Sequence, residues 1–181
     1  MRHSFLLLVL LAASLPIGVI AQHSPYAGEA ARPVKALSDQ EIGDYLAGKG
    51  MGYAKAAELN GYPGPAHVLE LGSRMQLTAE QRAQTHAVFV SMQTDAVTVG
   101  RALIDRERAL DAAFAAKSIT PESLANEVQE IAALQGRLRE IHLKAHLAES
   151  AILSAEQIAK YNELRGYGQQ PAPAGEHKHP H

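Results

Sequence analysis

Two five-residue strings, Leu77-Thr78-Ala79-Glu80-Gln81 and Leu153-Ser154-Ala155-Glu156-Gln157, constrain this chain more than any other feature. Each reads as a helix start. Thr78 and Ser154 are N-cap residues whose side-chain oxygen takes a free first-turn amide. Gln81 and Gln157, three residues on, reach back to the cap's own amide and complete a capping box. Leu153 has an apolar staple partner in Ile158, whereas the equivalent place after Leu77 holds Arg82. Between the two starts run two apolar stripes spaced by threes and fours. The first is Phe89, Met92, Ala96, Val99, Leu103, Leu110 and Ala113, interrupted by Arg106. The second is Leu124, Val128, Ile131, Leu134, Leu138, Ile141, Ala145, Ala148 and Ile152. A break at 117–120 separates them, and Thr120-Pro121-Glu122 opens the second with a cap, a first-turn proline and an acid at the positive end of the helix dipole. Residues 77–167 therefore predict two long helices folded into a hairpin, with a short helix over 155–165.

Residues 1–21 have the form of an export signal. Arg2 supplies the charge, residues 5–13 an apolar core, and Val19-Ile20-Ala21 a small-residue cleavage pattern ahead of Gln22. The alternative, an uncleaved anchor running on to Ile20, is weakened by Ser14, Pro16 and Gly18. Losing Arg2 with the leader leaves sixteen basic against nineteen acidic residues, a formal charge of −3. That balance excludes the basic stripe of a nucleic-acid binder. The absence of cysteine excludes a disulfide framework and thiolate chemistry. The mature chain is expected to be a soluble exported domain without a stable membrane span.

The segment 22–37, with Ser24, Pro25, Gly28 and Pro33, reads as a flexible linker. Ser38-Asp39-Gln40-Glu41 is a third capping box, and its helix could run to about Asn60. Gly43, Gly48, Gly50 and Gly52 oppose this, each costing up to about 1 kcal/mol in a helix interior, and they indicate a break or a close backbone approach. Gly43 to Gly50 mimics a phosphate-binding loop, but Gly50 stands where Ser or Thr is required and no strand precedes it. The turn Gly61-Tyr62-Pro63-Gly64-Pro65 leads into a short helix over 66–76, with Val68, Leu69 and Leu71 facing the core. The tail, 168–181, is Gly-, Gln-, Pro- and His-rich and reads as disordered. No segment alternates like a strand, so the fold is all-α, with residues 38–167 as one helical domain. Its core is thin, since both stripes lean on alanine and the chain holds no tryptophan. Either the first helix covers the open side of the hairpin or a second copy does.

An exported, cysteine-free, all-helical chain carrying Leu77, Thr78 and Gln81, with a serine-bearing copy at Leu153, Ser154 and Gln157, resembles the periplasmic Spy/CpxP family. That family is defined by LTxxQ motifs and is related to heavy-metal-resistance proteins and periplasmic metal sensors. The resemblance covers about residues 65–167. It implies a bent helical hairpin, paired into a cradle-like homodimer in the periplasm. It also implies an ATP-independent chaperone of unfolded or misfolded proteins, or a damper of envelope-stress signalling that meets an envelope sensor protein. The glycine-rich segment before Asn60 has no counterpart in those motifs.

The histidines carry the chemical interest. His142 and His146 are one helical turn apart, and Glu149 follows on the same face. At about 100° per residue the two imidazoles lie on one flank of the second stripe, and His86 lies on the matching flank of the first. Folding the hairpin about residue 118 sets His86 opposite residue 150, so that His86, His142, His146 and Glu149 converge on one ion. Imidazole and carboxylate suit Zn(II), Ni(II), Co(II) or Cu(II). The competing view is that these are ordinary solvated helix flanks. His177, His179 and His181 on the tail can add weak metal capture, or merely solubilise the end. His67 reads as a hydrogen-bonding residue near a helix start. Met51, Met75 and Met92 are too scattered in sequence for a soft copper site and are assigned to packing. Arg101, Arg106, Arg108, Arg137, Arg139 and Lys144 set basic points beside the apolar stripes, as a client-holding surface needs, or form solvated faces with pairs such as Glu140 and Lys144. No nucleophile stands in a recognisable catalytic setting, so no enzyme is expected. Two functions remain, a Spy/CpxP-type chaperone tuned by metal and a metal-binding sensor or resistance protein.

Overall fold

The structure is a computed structural model, and it describes residues 25–167. The chain divides into two compact units after Ala30. Of the first, residues 25–30 form a turn in which the Glu29 amide donates to the Tyr26 carbonyl at 2.9 Å.

Six helices and no strand are found among the described residues: α1 (Asp39–Leu46), α2 (Lys55–Glu58), α3 (Pro65–Glu70), α4 (Ala79–Ala115), α5 (Pro121–Ile152) and α6 (Ala155–Arg165). The all-α hairpin is as the sequence predicts. Capping boxes open α1 at Ser38, α4 at Thr78, α5 at Thr120 and α6 at Ser154. The predicted first helix is broken: α1 stops at Leu46 and α2 resumes only at Lys55. Gly48 (φ +65°) and Gly52 (φ +82°) occupy the left-handed region between them, where a side chain would be strained. The predicted helix over 66–76 closes early, at Glu70.

α4 and α5 pack antiparallel. Gln81 bonds to the Ile152 carbonyl, Thr85 to Glu149, and Arg106 reaches Glu127, so the hairpin folds about a point near residue 117. Its apolar seam holds Ala96, Leu103 and Ile104 against Ile131, Leu138 and Ile141. α1 covers one side of this seam, with buried Tyr45 in the same cluster. A Cβ on Gly100 of α4 would stand 2.8 Å from the Tyr45 carbonyl oxygen, so the two backbones approach as only glycine allows. The first helix thus covers the hairpin, one of the two arrangements the thin core requires. Val34 and Leu37, in the segment read as linker, are fully and nearly fully buried in this cluster. Two apolar side chains among prolines and small residues leave no periodicity to reveal them. Beyond the reach of α1 the seam opens, and Phe114, Leu124 and Val128 near the hairpin tip are exposed.

A second cluster, Val68, Met75, Leu153 and Tyr161 with Leu77 and Ile158 beside it, sits at the other end. Here the twin motifs meet. Gln81 and Gln157 exchange amide hydrogen bonds at 2.8 and 3.0 Å, while each also accepts from its own N-cap amide. The Gln81 amide further donates to the Ile152 carbonyl at the end of α5. The two motifs clamp the starts of α4 and α6 together.

Candidate metal centre

The regular turn of α5 sets His142 and His146 on one face, and the segment between α1 and α3 folds over them. His142 is 2% and His146 7% exposed. Tyr53 stacks on the His142 ring with centroids 6.1 Å apart and planes within 6°. Gly50 lies beside it, since a Cβ there would stand 4.0 Å from His142 Nδ1. His142 Nε2 is buried without a hydrogen-bond partner. Burial first, and the neighbouring His146 second, push the His142 pKa down, so the ring is neutral at pH 7.

His146 Nδ1 stands 2.8 Å from the Tyr62 carbonyl oxygen. A carbonyl only accepts, so Nδ1 donates, which leaves Nε2 as the nitrogen through which this ring can ligate an ion. Fixing one imidazole nitrogen through a backbone carbonyl is how proteins orient a metal-binding histidine. Gly64 permits this position of the ring: a Cβ there would lie 2.9 Å from His146 Cε1 and 3.0 Å from Nε2. Glu58 Oε2 is 3.6 Å from Nδ1. The other Glu58 oxygen accepts from Tyr161 at 2.6 Å and Tyr167 at 2.9 Å, which ties α2 to α6 and the residues after it.

Both imidazoles line a cavity of about 620 Å³. Its walls are the 47–55 segment, the start of α3 with His67, and Phe89, Met92 and Gln93 of α4. His67 Nδ1 pairs with Glu70 at 3.1 Å.

The four residues expected to converge do not form one group, and among the described residues no three His, Cys, Asp or Glu side chains are placed to share an ion. Glu149 is fully buried, but one of its oxygens accepts from the Thr85 hydroxyl at 2.9 Å and the other has no partner. Burial raises its pKa to about 6, with the Thr85 bond pulling the other way. His86 is exposed in a separate recess with Leu69, Ala79, Arg82 and Ala83. α3 stands between, with Leu69 in that recess and Pro65 and His67 in the cavity. The observed register sets His86 opposite residues 147–148 rather than 150. His177, His179 and His181 lie outside the described residues, as does the leader. Sequence reasoning missed Glu58 and Tyr62 as the partners of His146, and it missed Met51 and Met92 as cavity residues. Those contacts span 84 or more positions for His146 and Tyr62, and no periodic signal links them.

Residues 49–160 match the model of a family described as heavy-metal resistance. The chain belongs to that family. The heavy-metal-resistance family is part of the Spy/CpxP-like helical group that the twin motifs resemble. The matched span begins inside the glycine-rich arm, residues 34–58, which carries α1, the loop after it and α2; it takes in α2, α3 and the whole hairpin, hence every described wall of the cavity but Ala47, Gly48, Arg165 and Tyr167. No curated protein and no solved structure matches this chain. Among its described residues no helix is long and apolar enough to cross a membrane.

Proposed function

We propose that this chain is an exported, non-enzymatic metal-binding protein of the periplasm, acting in metal resistance or sensing, with its ion held by His142 and His146 beneath the glycine-rich arm. One observation carries this reading: His142 Nε2 is buried, faces no hydrogen-bond partner and belongs to a ring held neutral. An unpartnered buried nitrogen costs about 1–3 kcal/mol, and coordination of an ion removes that cost. His146, locked by Tyr62, supplies a second lone pair one turn away. Zn(II), Ni(II), Co(II) and Cu(II) all accept imidazole. The tail histidines capture ions weakly, and His86 and Glu149 stand outside the centre. The test is a competition titration of the full chain with Zn(II), Ni(II) and Ag(I) in turn. Replacing His177, His179 and His181 by alanine should leave one tight equivalent of the preferred ion. Replacing His142 and His146 should abolish it, and a tight equivalent that survives their loss would contradict the assignment.

A chaperone activity of the Spy/CpxP kind is the second reading, favoured by an open groove of about 470 Å³ across the hairpin. Ala87, Val88, Ala145 and Ala148 line it, with Arg137, Lys144 and Asp95 at its polar rim. Exposed Val90 and Leu147 add apolar surface on the same two helices. Weak apolar contact beside charge suits varied unfolded clients. A homodimer and contact with an envelope sensor belong to this reading. Suppression of client aggregation in EDTA, followed by light scattering, supports it, and unimpeded aggregation counts against it.

A further inference from the structure

The cavity unites side chains that are far apart in sequence: Met51 from the arm, Met92 from α4, and His142 and His146 from α5. Resting on the reading of this cavity as the metal centre, we propose that it selects a soft monovalent ion, Cu(I) or Ag(I), through two imidazoles and one or both of these thioethers.

Three observations lead there. First, a divalent ion of the Zn(II) or Ni(II) kind wants three or four nitrogen, oxygen or thiolate donors, and no three His, Cys, Asp or Glu converge among the described residues. Glu58 does not supply the missing charge. One of its oxygens is taken by two tyrosine hydroxyls, and the other stands 3.6 Å from Nδ1, the proton-bearing side of His146. Second, an imidazole that ligates a metal and a thioether are both neutral donors, and of the two carboxylates at the cavity wall Glu58 is engaged by tyrosine hydroxyls and Glu70 by His67. The cost of desolvating an ion rises with the square of its charge, so a monovalent ion meets about a quarter of the penalty of a dication of the same size. Thioether sulfur with imidazole is a soft set, and soft donors favour Cu(I). Third, Met51 is held at φ +44°, in the left-handed region that disfavours side-chain-bearing residues. Glycines do the turning at 48 and 52, yet a methionine stands between them at the cavity wall. Met75, by contrast, is 2% exposed in the cluster of Val68, Leu153 and Tyr161 and serves packing alone.

That contrast provides the control. The full chain, with methionine methyl groups labelled with ¹³C and histidines with ¹⁵N, is titrated in chloride-free buffer with Ag(I), a redox-inert probe, and separately with Zn(II). Each titration continues past the capacity of the tail histidines. Ag(I) is expected to shift the ring signals of His142 and His146 and the methyl signal of Met51, Met92 or both, leaving Met75 in place. Replacing both Met51 and Met92 by leucine should lower Ag(I) affinity at least tenfold without changing Zn(II) affinity. Ring shifts with Ag(I) while the Met51 and Met92 methyls stay fixed, or ring shifts with Zn(II) and none with Ag(I), would overturn the soft-ion inference and leave the metal centre standing. If neither ion moves the His142 and His146 rings, both are overturned.

Discussion

Glu149 and His142 are both buried acid–base groups on α5, and their effects on stability have opposite signs. Glu149 has a folded pKa of about 6 against an ordinary 4.5. The native state therefore holds its proton more tightly than the unfolded chain. Its favourable contribution is complete below about pH 4.5 and is lost as pH rises through 6, a difference of up to about 2 kcal/mol. Glu149→Gln keeps an oxygen for the Thr85 hydroxyl and removes the charge. The variant should melt several degrees above the parent at pH 7.5, with the gap closing by pH 4.5; equal melting temperatures at pH 7.5 would contradict a charged, half-partnered carboxylate in the core. His142 is depressed, so its contribution is present above pH 6.5 and fades as acid protonates the unfolded chain. At this scale the sequence was legible in part. The i, i+4 spacing of His142 and His146 was visible, but the same spacing logic enlisted Glu149. Which residue faces Glu149 across the seam depends on register, and Thr85 claims it.

The helix ends were the clearest part of the sequence, because a cap and its reciprocal partner lie three residues apart and need no tertiary information. The boxes at Ser38, Thr78 and Ser154 all form as predicted. The sequence did not reveal their second use: Gln81 and Gln157 bond to each other across 76 positions. Gln81→Ala and Gln157→Ala should each cost about 1–2 kcal/mol by denaturant unfolding. The double variant should cost less than the sum by about 1 kcal/mol, since the shared bonds are lost only once. Strict additivity would mean that the two motifs cap their own helices independently. The glycine-rich arm was legible as a break, and the short α2 was not, because four residues carry no period.

For the whole molecule, the hairpin followed from two apolar stripes and a break, while the placement of the arm did not. The arm's position depends on Gly100 admitting the Tyr45 backbone and on Gly64 admitting the His146 ring, close approaches between segments far apart in the chain. The thin alanine-rich seam gives the arm its role. It completes the core on one side through Val34, Leu37 and Tyr45, and it roofs the cavity through the 47–55 segment. Family membership, the buried imidazoles and the methionine-lined wall thus bear on one claim, that metal is held between arm and hairpin. Hydrogen–deuterium exchange of the full chain, with Ag(I) and Zn(II) added in parallel, tests it most directly. Binding is predicted to slow amide exchange at residues 47–58, and the effect should vanish when His142 and His146 are both replaced by alanine. Slowed exchange confined to the histidine tail, or to the turn of α4 around His86, would contradict it.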